Sequence, residues 1–170
     1  VARLVDKLRG GDLRSIGRAD EVVAEVLAHK ARFGEIIDGL DHPDRVVRMR
    51  CADVAEKSPG LEPAWLVPYK TKLLELAHRA SDVELRWHLA QMLPRLGLDA
   101  TERRQASDLL FGYLDDKSRI VRTSALQALC ELSLADPTLR RRVEPLVERL
   151  TKEAGAVGTR ARKLARMLAP

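Results

Sequence analysis

Three stretches of the chain are variations on one pattern: LDHPDRVVRMRCADVAEK (40–57), HRASDVELRWHLAQML (78–93) and LDDKSRIVRTSALQAL (114–129). Each has a short polar turn, then an apolar residue followed by arginine: Val47-Arg48, Leu85-Arg86 and Val121-Arg122. With the apolar residue as anchor, the copies stand 38 and 36 residues apart. A repeat of this length restricts the fold more than any local motif. One such unit cannot bury its apolar face alone and must be covered by its neighbours.

Periodicity gives the element type. After each anchor, small or apolar residues recur at +4, +7 and +8: Cys51, Val54, Ala55; Leu89, Met92, Leu93; Ala125, Ala128, Leu129. This spacing traces one face of an α-helix, not the alternation of a strand. A weaker fourth copy, Val157, Ala161, Leu164 and Ala165, follows another 36 residues on, with Gly158 in place of the arginine. Ahead of each turn a first helix is expected, in register through Ile36, Leu74, Leu110 and Leu146 and then through Leu40, His78, Leu114 and Leu150. Breakers in SPGLEP (58–63), LGLDAT (96–101) and ADP (135–137) separate the units. The expected organisation is one domain over 1–170, with repeats at 29–60, 61–98, 99–135 and 136–170. Residues 1–28 are less regular: VARLVDKLR and ADEVVAEVLA read as two capping helices around RGGDLRSIG.

Helix ends are marked as well. Ser81 with Glu84 fits a capping box, and Asp136-Pro137 places a cap residue before a first-turn proline. Pro68 and Pro145 fall within first helices and Pro94 late in a second, where each should kink or shorten its helix.

The composition, 45% hydrophobic and 32% charged but only 4% aromatic, suits a helical protein. No apolar run approaches the roughly 20 residues of a membrane span, and no signal-peptide pattern is visible. Cys51 and Cys130 form no CxxC pair, so a reduced, cytoplasmic setting is expected. Net charge is +5, and residues 137–170 hold nine Lys or Arg against three Glu. Such a basic end can attract nucleic acid or can be the solvated face of a terminal helix pair.

The two-helix unit of about 37 residues, with an Asp in the turn and Val-Arg opening the second helix, resembles a HEAT repeat. The residues carrying the resemblance are Asp41, Val47, Arg48 and Ala52; Leu85, Arg86 and Ala90; and Asp115, Val121, Arg122 and Leu126. It extends over residues 33–168. It implies an all-α fold, a right-handed α-α superhelix of about four to five helix pairs, with second helices lining the concave surface. It also implies a structural ladder between turn acids and helix arginines of neighbouring repeats, built from Asp41, Arg48, Arg86, Asp115 and Arg122. The second repeat has Arg79 where the others have the acid, and Asp82 can substitute.

No sequence element announces catalysis. GAVGTR (155–160) lacks the lysine and spacing of a phosphate loop, and there is no GxSxG or HExxH. His29, His42, His78 and His88 are scattered, so neither a metal nor a cofactor is expected. In ELRWHLAQMLPRL (84–96), helical phase turns Trp87 and Gln91 away from the core, with His88 and Arg95 flanking them. Met49 and Arg50, then Thr123 and Ser124, take the corresponding positions. These seven residues, Trp87, His88, Gln91, Met49, Arg50, Thr123 and Ser124, form the expected partner-binding face. Trp87 suits such a face, offering a large apolar area and one N–H, but equally suits packing between neighbouring second helices. Trp65 is expected to staple its helix, and Cys51 to be a buried, inert thiol.

The function expected from this pattern is a non-catalytic scaffold binding a protein or peptide. Nucleic-acid binding through the basic C-terminal repeat is the alternative. A lyase or glycosylase on HEAT-like repeats would need a carboxylate beside Trp87 and His88, from Asp53 or Glu56.

Overall fold

The computed structural model describes residues 3–58, 60 and 62–169, and these are all-helical with no strand. Two short N-terminal helices, α1 (Leu4–Lys7) and α2 (Ala19–Ala28), precede four helix pairs. The pairs are α3 (Phe33–Gly39) with α4 (Arg45–Lys57), α5 (Lys70–Arg79) with α6 (Val83–Met92), α7 (Ala100–Tyr113) with α8 (Arg119–Ser133), and α9 (Pro137–Leu150) with α10 (Gly155–Leu168). Of the SPGLEP loop, Pro59 and Leu61 lie outside the described residues.

Local chemistry sets the helix boundaries. Asp136 Oδ1 accepts from the backbone N–H of Thr138 and Leu139, both at 3.0 Å, and Pro137 opens α9. Asp99 and Glu102 form a reciprocal capping box at α7. The box expected from Ser81 and Glu84 does not form. Asp82 takes the N-cap position without a side-chain cap, because its carboxylate is drawn to Arg48 at 2.7 Å. Glu84 is drawn to Arg45 at 2.9 Å. Pro68 lies in a 3-10 turn (Val67–Tyr69) just before α5, and Pro94 in another (Leu93–Arg95) that ends α6. Pro145 is carried inside α9.

Within each pair the two helices pack together, and the second helices pack in series: α4 on α6, α6 on α8, α8 on α10. The repeat positions carry this packing. The anchors Val47, Leu85, Val121 and Val157 are all buried, as are Cys51, Leu89, Ala125 and Ala161 at +4. At +7, Val54, Met92, Ala128 and Leu164 are buried too. Burial at these positions, roughly 1.5–3 kcal/mol for each large aliphatic side chain, outweighs what any surface ion pair adds.

Helix approach depends on glycine at two points. A Cβ on Gly39 would lie 2.4 Å from Cys51 Sγ, so α3 and α4 meet here with no room for a side chain. A Cβ on Gly158 would lie 1.8 Å from the Glu153 carbonyl oxygen. The missing arginine of the fourth copy is thus a requirement of the tight turn before α10.

Arginines of one pair reach acids of the next. Arg48 binds Asp82 at 2.7 Å, Arg86 binds Asp116 at 2.8 Å, and Arg122 binds Glu153 at 3.3 Å. Arg48 also donates to the His42 and Pro43 carbonyls, Arg86 to that of Ser81, and Arg122 to that of Leu114. In the second pair the acid that receives Arg48 is Asp82. Asp41 and Asp115 stand outside these three contacts: Asp41 pairs with Arg79 at 2.7 Å, and Asp115 is exposed.

Candidate functional site

Helices α6, α8 and α10 enclose a cup of about 220 Å³. Trp87 and Gln91 of α6, Ile120, Thr123, Ser124 and Gln127 of α8, and Arg160 of α10 line it. Four residues of the expected face, Trp87, Gln91, Thr123 and Ser124, thus meet at one place.

Trp87 does both things its position allows. Its ring packs partly against the core, and the rest borders the cup. The indole Nε1 and Ser124 Oγ make no hydrogen bond among the described residues, and neither atom is sealed from solvent. Ile120 is 56% exposed, an apolar surface on the cup's open side. Gln127 and Arg160 are tied together: Arg160 Nη1 donates to Gln127 Oε1 at 2.9 Å, and Gln127 Nε2 donates to Glu131 Oε1 at 2.6 Å. The reverse amide orientation would set N–H against guanidinium and oxygen against carboxylate, so the two charges fix which way Gln127 points.

The remaining expected residues are placed differently. His88 is 2% exposed, beneath Trp87, with ring centroids 3.4 Å apart. Burial, with a smaller contribution from nearby Lys57, depresses its pKa to about 3. Its Nδ1 has no hydrogen-bond partner among the described residues. The carboxylates expected to polarise a catalytic His88 are engaged elsewhere, Asp53 with Lys57 at 2.8 Å and Glu56 with Arg95 at 2.6 Å.

Met49 and Arg50 are buried at 6% and 2% exposure, so the expected open side chains are absent there. The Arg50 guanidinium plugs the loop between α1 and α2. It donates to the carbonyls of Leu8, Arg9, Gly10, Asp12 and Ser15, the shortest contact being 2.6 Å to Gly10. Gly17, at φ 56°, would place a Cβ 2.7 Å from Arg50 Cζ, so the loop can close around the cation only without a side chain there. Arg50, His88 and Ser124 share one repeat position, three after the anchor, and all three are buried. The cause is shared: this position turns toward the preceding element, Arg50 to the loop between α1 and α2 and Ser124 to the side of the cup lined by Trp87 and Gln91.

Ile120, Gln127 and Arg160 were not among the residues of the expected face, although Arg160 belongs to the basic C-terminal repeat expected of a nucleic-acid binder. Gln127 had a signal, because it stands six residues after its anchor as Gln91 does after Leu85. Arg160 had a weaker one, as the residue at His88's position in the degenerate fourth copy.

Trp65 packs edge-on against Phe33, with centroids 5.7 Å apart, and donates to Glu62 at 2.7 Å. Cys51 is fully buried and its thiol pKa is pushed up to about 12. A larger groove of about 620 Å³, between α7 and α9, is lined by Phe111, Leu146 and three arginines. Two of them are already answered within the chain: Arg122 by Glu153, and Arg142 by Asp108 at 3.4 Å and the Phe111 ring at 4.4 Å.

Among the described residues, no group of three or more His, Cys, Asp or Glu could hold a metal ion. None of their helices is long and apolar enough to cross a membrane. No family model and no curated protein matches the chain.

Proposed function

We propose that this chain is a HEAT-like α-solenoid, a right-handed superhelix of about four to five helix pairs, that acts as a scaffold for a protein partner. The partner lies along the open face of the second helices, centred on the cup between α6, α8 and α10. The observation that carries this reading is the cup itself: a half-buried indole, an exposed isoleucine and unused hydrogen-bond donors gathered from three successive helix pairs. Large amphipathic side chains held rigidly at the centre of a polar surface have the character of interface hot spots.

The basic C-terminal pair motivates nucleic-acid binding less strongly, since several of its arginines serve the helices themselves. Arg140 of α9 donates to the Leu168 carbonyl at the end of α10, and Arg162 of α10 donates to the Thr151 carbonyl at the end of α9. The two helices cap each other's C-termini, where a cation also complements the helix dipole.

The test is affinity capture from native lysate, comparing wild type, a Trp87→Ala/Gln91→Ala double variant and a control, Arg149→Glu, outside the cup's lining. A partner retained by wild type and control but lost from the double variant is expected. Identical partner sets from all three would contradict the reading.

A further inference from the structure

We propose that the occupant of the cup is an acidic peptide segment carrying an apolar side chain beside its carboxylate; this rests on the partner-binding reading above. The lining holds one charged side chain, Arg160, and no carboxylate. Two donors there have no acceptor among the described residues, the Trp87 Nε1–H and the Ser124 hydroxyl, while Gln91 adds a neutral amide and the Thr123 hydroxyl is spent on its own helix. Arg160 is held in place through Gln127, which in turn is oriented by Glu131. That contact occupies one nitrogen of the guanidinium and leaves the rest of its fork for a ligand carboxylate. Trp87 and Ile120 supply the apolar surface for the neighbouring side chain.

The surroundings extend the same chemistry. Ile120 and Gln127 of α8 and Leu134 at its C-cap follow one another at seven-residue intervals, as Arg160 and Met167 do along α10. The Arg160–Gln127 contact sets the register between the two helices, an offset of 33 residues. By the same offset, Leu134, 52% exposed, stands level with Met167, 38% exposed. A second apolar spot therefore lies about 10 Å from the cup, two helical turns along. Lys163, exposed, stands between the two levels on α10. A nucleic acid would call for a continuous row of cations matching its phosphates. This strip instead intersperses Arg160 and Lys163 with Leu134 and Met167, and carries Glu131 as well. Mixed apolar and basic spots at this spacing fit a peptide with alternating acidic and apolar side chains.

The experiment is selection of a phage-displayed library of random dodecapeptides on the whole chain, with depletion on an Ile120→Glu variant. Anisotropy with a fluorescein-labelled selected peptide follows. Ile120 and Arg160 are both exposed, so variants at these positions retain the fold, which circular dichroism checks. The expected peptides carry Asp or Glu next to an aromatic or aliphatic residue. Replacing their acids by amides, or Arg160→Glu in the protein, should each weaken binding by more than about tenfold, while Arg149→Glu leaves it unchanged. Selected peptides without acids, or affinity indifferent to Arg160→Glu, would overturn the acidic class yet leave the face as a binding surface. Stronger binding of labelled oligothymidylate than of any selected peptide, lost in Arg160→Glu, would overturn it in favour of phosphate. A selection with no Ile120-dependent peptide would also overturn it, and capture of a folded partner would then decide separately whether the face binds protein.

Discussion

Trp87 and His88, consecutive on α6, stack with ring planes 29° from parallel, yet His88 is sealed at 2% exposure while Trp87 keeps one edge open to the cup. The indole thus roofs a buried imidazole and walls a surface cavity with the same ring. Trp87→Ala should cost about 1–3 kcal/mol in urea denaturation, since only part of the indole leaves an apolar environment. A loss near that of a fully buried tryptophan, about 3–5 kcal/mol, would make the ring core and remove it from the binding surface.

His88 makes stability depend on pH in a defined direction. Its pKa falls from 6.5 to about 3 on folding, so the unfolded chain binds the proton more readily. The contribution is fully present above pH about 6.5 and is lost as pH falls from there toward 3, at up to about 1.4 kcal/mol per unit. Glu21, held at about 2 by Arg18 and Lys7, acts in the same direction but below the ordinary carboxylate range. Denaturation midpoints at pH 7 and pH 5 span the onset of the His88 loss. His88→Gln should flatten the difference between them, and an unchanged difference would refute the assignment.

Much of the fold is legible before any coordinates. Anchors such as Val47 and Val121 and their +4 and +7 partners are buried because helical phase and the repeat point the same way. Which acid answers Arg86 is not legible. The repeat points to Asp115, in register with Asp41, and the approach of α6 to the turn before α8 selects Asp116 instead. Of the expected face, Trp87, Gln91, Thr123 and Ser124 meet, while Met49, Arg50 and His88 do not. Phase describes an isolated helix with one covered side, whereas α4, α6 and α8 are covered on their flanks too. The Arg50 cage is illegible for another reason: its acceptors are backbone carbonyls, which leave no trace in side-chain identity beyond the glycines at 10, 11 and 17.

Arg50 is a buried cation answered by five carbonyls and by no carboxylate among the described residues. Arg50→Met should cost about 2–4 kcal/mol, because it strands those carbonyls. Hydrogen exchange should rise in residues 8–17 while α8 and α10 keep their protection. Uniform loss of protection along the chain would show that the loop and the later pairs unfold as one.

The contacts between pairs should differ in strength with burial. Arg86 and Asp116 are 18% and 12% exposed, whereas Arg45 and Glu84 are 47% and 22% exposed. Double-mutant cycles to alanine should give a coupling of about 1–2 kcal/mol for the first pair and below about 1 kcal/mol for the second. Equal couplings would mean that the Arg86 contact adds nothing to the joining of α6 and α8 beyond a surface ion pair.

The central claim, that the α6–α8–α10 face receives a protein, is tested most directly by site-specific photocrosslinking. A photoreactive amino acid replaces Ile120 at the mouth of the cup or, as control, Leu27, which is equally exposed at 56% on α2. Irradiation in native lysate should give a discrete adduct from position 120 that Arg160→Glu abolishes, and none from position 27. Adducts of equal yield from both positions, or none from position 120, would contradict the account.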